Sequence, residues 1–144
     1  MDFHNYAETV YNIVGAAIQV QTELNWGLHE NIYNEAIFYE LLDKGIQNEV
    51  HKYLPCFYKN RQLETHYQMD LVVGDEIVAE LKSVSNFVSG HRSQLFNYMR
   101  LTKKHVGLLI NFGNPTVEVE RYGLIDATNE CILLDKNMDP VQRY

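Results

Sequence analysis

Cysteine is scarce in this chain. Cys56 and Cys131 stand 75 positions apart and neither belongs to a CxxC pair, so neither a zinc site nor a disulfide framework is indicated. They read as reduced core thiols. His29, His51, His66 and His91 lack an HxxxH spacing, which leaves them as surface or satisfied residues rather than metal ligands. There is no glycine-rich phosphate loop and no distinctive Ser/His/Asp or Cys/His pattern. Proline is also rare: the three prolines are scattered, no run of like charge exceeds two, and nothing resembles a linker, a repeat or a low-complexity tract. No window reaches the roughly 18 apolar residues of a membrane span. The start, MDFHNYAETVYNIV, is acidic and polar where a signal peptide needs a basic start and an unbroken apolar run. A cytoplasmic protein without a membrane partner is expected. Positive charge is in short supply too, with 12 Lys and Arg against 19 Asp and Glu and a net charge of −7. That argues against broad attraction to nucleic acid or anionic lipid. Any nucleic-acid partner must be held by a local basic patch or through metal ions.

What remains is a chain of 144 residues with 46% apolar content, enough for one compact domain over 1–144. Tyr6, Val10, Ile13, Val14, Ala17, Ile18 and Val20 recur at helical spacing over 6–23, and Asn25 and Gly27 end that helix. A second helix over 29–44 carries Ile32, Ala36, Phe38, Tyr39, Leu41 and Leu42, with Gly45 as its stop. The two form a helical hairpin. Strands follow over 49–58, 65–73 and 76–83, punctuated by Asn60-Arg61 and Gly74-Asp75. A third helix is expected over 91–103. It leads into HVGLLINF, a short continuous apolar run that fits a strand buried on both faces. TVEVERY, over 116–122, alternates as a neighbouring or edge strand, and the C-terminal CILLDKNMDPVQRY is ambiguous.

The segment MDLVVGDEIVAELK, over 69–82, places Asp70, Glu80 and Lys82 on two strands of one hairpin. The turn decides where they point, because side chains alternate along a strand and directly opposed residues share a face. A two-residue Gly74-Asp75 loop sets Asp70 against Ala79 and sends the two acids to opposite sides. A three-residue loop, Gly74-Asp75-Glu76, sets Asp70 against Glu80 and gathers Leu71, Val73, Ile77, Ala79 and Leu81 on one apolar face. The second register is preferred, since it separates charge from the apolar layer. Adjacent carboxylates repel unless a cation or proton sits between them. The hairpin asks for a metal.

Four motifs in order carry a resemblance. Gly27, Glu30 and Tyr33 fit GxxExxY, Met69-Asp70 supplies a single acid, Glu80-Leu81-Lys82 is an ExK element, and Gln94 with Tyr98 fits QxxxY on the following helix. In these the chain resembles the PD-(D/E)XK nuclease superfamily, and within it the small proteins named for GxxExxY, over about 6–121. Met69 stands where the superfamily name has proline. The resemblance implies an α/β fold with a restriction-endonuclease-like core: a central mixed β-sheet flanked by helices, with the helical hairpin N-terminal. It also implies a metal-dependent phosphodiesterase acting on nucleic acid, with DNA the expected substrate. Asp70, Glu80 and the Leu81 carbonyl would hold Mg2+ or Mn2+. Lys82 would orient or deprotonate the attacking water or stabilise the pentavalent phosphorus, and Glu30 would reach in as an additional acid. Gln94 and Tyr98, on one helix face, would position Lys82 or the substrate backbone.

Each of these residues has an ordinary reading as well. Asp, Glu and Lys on neighbouring strands commonly form a solvated face, and Glu30 would favour a helix N-terminus with no ligand at all. Tyr33 fits core packing between helices. Arg92, Arg100, Lys103, Lys104 and His105 bracket the third helix and, with Ser89-Gly90 at its start, are candidates for holding phosphates. Positive residues in a last turn equally complement the helix dipole. An alternative to the nuclease is a catalytically silent nuclease fold, retained as a binding or assembly module for a protein partner or in a homo-oligomer.

Overall fold

The computed structural model describes residues 2–141; the last three positions of the ambiguous C-terminal segment, 142–144, lie outside them. A 3-10 turn over His4–Tyr6 leads into α1, Ala7–Leu24, and α2, Glu30–Asp43. Then come β1, Asn48–Tyr58, β2, Arg61–Val73, and β3, Ile77–Lys82. Helix α3, Ser89–Thr102, precedes β4, Val106–Asn111, β5, Glu118–Ile125, and β6, Glu130–Leu134. The six strands form one sheet in the order β1-β2-β3-β4-β5-β6. Only β3 and β4 run parallel, because α3 crosses between them, and all other neighbours are antiparallel. The architecture is α/β, a mixed sheet flanked by helices.

Strand parity divides the core in two. Leu71, Val73, Ile77, Ala79, Leu81, Val106, Leu108 and Ile110 face α1 and α2, which contribute Val10, Ile13, Ala17, Tyr33, Ile37 and Leu41. Val72, Val78 and Leu109 face the other way, against Leu95, Tyr98 and Met99 of α3. All six residues of β4 are buried, as its unbroken apolar run requires. Gly107 is where α3 sits down on that strand: a Cβ there would collide with the Met99 side chain.

Three expectations change. The second strand begins at Arg61, not 65, because β1 and β2 run on as a two-stranded ribbon in which residues 61–68 are all exposed and so carry no buried face to read. The segment 116–122 holds most of β5, the neighbour of β4 as expected, and interior rather than at the edge. The edge is β6, drawn from the ambiguous C-terminal stretch. The cysteines are free but only half-buried, Cys56 in β1 and Cys131 in β6. No helix among the described residues is long and apolar enough to cross a membrane.

Candidate active site

The β2–β3 turn has the three-residue form. Val73 pairs with Ile77, Val72 with Val78 and Leu71 with Ala79, so Asp70 and Glu80 come next and oppose one another. Gly74 and Asp75 both hold left-handed backbone, φ +58° and +57°, a conformation glycine and aspartate tolerate better than most residues. At Asp70 the backbone ladder gives way to side chains. The Leu81 N–H donates to Asp70 Oδ2 at 2.8 Å, and the Asp70 N–H donates to Glu80 Oε1 at 3.2 Å. The carboxylates thus occupy the gap where the two strands part.

Glu80 is 1% exposed. Burial, and then the Asp70 carboxylate beside it, push its carboxyl up to about 9. The Asp70 N–H and the Lys82 ammonium pull the other way without cancelling the rise. Asp70 Oδ2 and Glu80 Oε1 each accept a backbone N–H, and the two carboxyls lie close enough to share a proton. Two opposed carboxyls with too little positive charge between them suit a hard divalent cation in place of that proton. Such ions use one or two carboxylates, waters and substrate phosphate oxygens. Among the described residues no group of three or more His, Cys, Asp or Glu converges, so a further protein donor would come from another kind of oxygen, such as a backbone carbonyl.

Lys82 ends β3 two residues beyond Glu80, and its Nζ lies 3.8 Å from Glu30 Oε1. That contact is built by the GxxExxY segment. Gly27, at φ +83°, turns the chain and donates its N–H to the Phe112 carbonyl at 2.9 Å. The buried Tyr33 stacks on Phe112, centroids 4.3 Å apart, and its hydroxyl donates to the Asn25 carbonyl at 2.7 Å and accepts from the Leu28 N–H at 3.1 Å. His29 caps α2 through its Nδ1, which accepts the Asn31 N–H at 3.1 Å. Glu30, the first residue of α2, is thereby held over Lys82. Tyr33 does more than pack between helices: it ties the loop between α1 and α2 to the end of β4.

Across the sheet, α3 presents Gln94 and Tyr98. The Gln94 amide donates to the Tyr98 hydroxyl at 2.8 Å, and that hydroxyl donates to the Gln68 carbonyl at 3.4 Å. Burial, and then Glu80, push the Tyr98 hydroxyl up to about 12. One turn before Gln94 stands His91, set aside in the sequence as a surface or satisfied residue. Its ring is held below the usual histidine range by burial and then by Lys82, with Glu30 opposing, so it borders the same ion pair. Its Nδ1 also accepts the Val88 N–H at 3.2 Å. The i, i+3, i+7 spacing of 91, 94 and 98 was the signal available for it.

The flanking cations are not brought to this centre. Arg92 forms a bidentate pair with Glu120, at 2.8 and 2.7 Å, and Arg100 donates to the Asn129 carbonyl at the β5–β6 turn. Lys104 pairs with Asp75 at 3.1 Å and His105 with Asp126 at 2.8 Å. The structure therefore brings Asp70, Glu80, Leu81, Lys82, Gln94 and Tyr98 together, sets Glu30 against Lys82 and not beside the two acids, and leaves Arg92 and Arg100 occupied elsewhere.

A family model described as the PD-(D/E)XK nuclease superfamily matches residues 7–122. No curated protein and no solved structure matches the chain significantly.

Proposed function

The chain belongs to the PD-(D/E)XK nuclease superfamily, and from that premise we propose that it is a nuclease of the GxxExxY type. It would hydrolyse phosphodiester bonds of nucleic acid, DNA first, in a Mg2+- or Mn2+-dependent reaction. The observation that carries the reading is the opposed pair of Asp70 and Glu80, which holds a proton where a cation would let both carboxyls ionise. Asp70, Glu80 and the Leu81 carbonyl would hold the ion. When bound, it supplies a lowered pKa for attacking water and charge neutralisation at the phosphate. Lys82, steadied by Glu30, holds the attacking water or the developing charge on phosphorus in line with that centre. Gln94 and Tyr98 orient the substrate backbone beside Lys82, their own geometry fixed by the bond between them.

The test is cleavage of labelled single-stranded, duplex and branched DNA and of RNA with Mn2+ or Mg2+, in wild type, Glu80→Ala and Lys82→Ala. Removing a positioned general acid or base costs about 10²- to 10⁴-fold, with far-UV circular dichroism unchanged. Equal activity in all three proteins would assign the cleavage to a contaminant or another site. One specific feature favours the second reading, a silent module: of the basic residues flanking α3, Arg92, Arg100, Lys104 and His105 are spent on the chain's own acceptors, and Lys103 alone is left exposed for phosphates. No turnover on any substrate in that panel would select it.

A further inference from the structure

Beyond Asp70 the β1–β2 ribbon leaves the sheet. Pairing between β2 and the six-residue β3 ends at Leu71 and Ala79, whereas β1 and β2 continue to pair with each other out to Tyr58 and Arg61. All residues over 61–68 are exposed. Two strands alone are marginal in water, and a solvated ribbon has no need of aromatic side chains. This one nevertheless exposes Tyr53, Phe57, Tyr58, Leu63 and Tyr67, a concentration of apolar surface that marks a binding element.

Its charge is unlike the rest of the chain. Over 51–68 there are three Lys and Arg, Lys52, Lys59 and Arg61, and one acid, Glu64, in a protein with 12 and 19. Lys52, at the base, is held by Glu49 and Asp75. Lys59 and Arg61, at the tip, make no ion pair among the described residues, and Lys59 lies 5.5 Å over the Tyr58 ring.

The ribbon also points somewhere. Tyr58 pairs with Arg61 and Leu54 with Tyr67, and alternation puts Arg61, Leu63 and Tyr67 on one face. Alternation breaks at Asp70, since Met69 packs on the α3 side and Leu71 on the α1 and α2 side; Tyr67 meets the Tyr98 ring edge-on at 5.4 Å, so it is this contact that brings the Tyr67 face of the ribbon to α3, beside the carboxylate pair. Phe57, Gln62, Tyr53 and His66 lie on the other face, where Tyr53 stacks on His66 at 4.3 Å.

We infer that this ribbon is an arm that takes an unpaired nucleic-acid strand along its Tyr58–Arg61–Leu63–Tyr67 face and leads it to Asp70 and Glu80, an inference that rests on the nuclease reading and names its substrate class. Exposed rings offer base stacking, which needs bases whose faces are free, as duplex bases are not. Two free cations suit a strand held largely by stacking, not a duplex gripped through many phosphates. A second copy is the poorer occupant. The outer edge of β1 is interrupted by Pro55, by a register shift between Pro55 and Phe57, and by left-handed backbone at His51, the devices that block strand-to-strand addition.

The experiment uses the full chain in EDTA, with anisotropy of a labelled 15-nucleotide oligothymidylate and of a 15-base-pair duplex. The single strand is expected to bind more tightly than the duplex. The double variant Tyr58→Ala with Arg61→Ala should weaken strand binding at least about fivefold, while Phe57→Ala stays within about twofold and both variants keep the wild-type far-UV spectrum. Duplex binding as tight as strand binding, or a double variant that binds like wild type, would overturn the arm. So would a double variant that turns a dimer into a monomer with strand affinity unchanged, since the ribbon would then join copies of the chain. Adding Mn2+ separates the two readings. Arm-dependent binding without any cleavage sinks the nuclease and leaves the arm, whereas strand cleavage at an equal rate in the double variant sinks the arm and leaves the nuclease.

Discussion

Replacing Glu80 by glutamine removes the charge that the fold accommodates least well and keeps nearly the same shape. The carboxyl moves from an ordinary value of 4.5 to about 9 on folding, so the folded form binds this proton more tightly than the unfolded chain does. A raised folded value means stability that is fully present below pH 4.5 and is lost progressively as pH rises towards 9. Each unit is worth about 1.4 kcal/mol. Relative to a side chain that does not titrate, wild type should therefore give up less than about 1 kcal/mol at pH 5, about 3 kcal/mol at pH 7 and roughly 6 kcal/mol near pH 9. Glutamine retains an oxygen for the Asp70 N–H that Glu80 accepts.

The expected outcome is a variant more stable than wild type in EDTA, by a margin that widens with pH. Urea unfolding followed by circular dichroism from pH 5 to pH 8 reads it directly, with equal slopes confirming that the same surface is exposed in both proteins. Mn2+ at 100 times its dissociation constant should then restore about 2.7 kcal/mol to wild type and little to the variant. Titrating groups remote from Glu80 are shared and cancel in the difference, which leaves the titration of the Asp70–Glu80 pair and its neighbour Tyr98. A margin that does not change with pH, or a variant less stable throughout, would refute the claim that burial beside Asp70 holds this carboxyl in its protonated form.

Tyr33→Phe leaves the ring on Phe112 but deletes the hydroxyl that joins Asn25 to Leu28. A loss of about 1–3 kcal/mol in unfolding free energy is expected, together with slower cleavage as Glu30 loses its fixed place over Lys82. Arg92→Met unpairs Glu120, whose carboxyl Arg92 holds below its ordinary range. That contribution is present above the unfolded value and fades as pH falls, so the variant should lose stability near neutral pH and converge with wild type in acid. The pair is partly exposed, which limits the effect to about 1 kcal/mol, and strand binding should not change. Leu108→Ala opens the fully buried β4 layer under α1 and α2 and should cost about 2–5 kcal/mol by chemical denaturation.

How much of this was legible in advance follows from the range over which each signal acts. The opposition of Asp70 and Glu80 could be read because one turn length collects Leu71, Val73, Ile77, Ala79 and Leu81 on a single face, and hydrophobic alternation is a local signal. Buried β4 announced itself in the same way. The ribbon did not: residues 61–64 bury nothing, so no period distinguishes strand from loop, and pairing with β1 alone makes them a strand. The work of the GxxExxY segment was hidden for a different reason. Gly27 and Tyr33 act on Phe112, about 80 positions away, and only the closure of α2 over the end of β4 brings them together. Likewise Arg92 looked available for phosphate because its partner, Glu120, is 28 positions on and reaches it across the sheet. Local pattern could place a charge on a face, but whether that charge remained free depended on its long-range partners. This is why the carboxylates of the hairpin were foreseeable as a site while the cations flanking α3 were not foreseeable as its structural complement. It is also why Lys59 and Arg61 stay free at the tip of the ribbon, where β1 and β2 have only each other as neighbours.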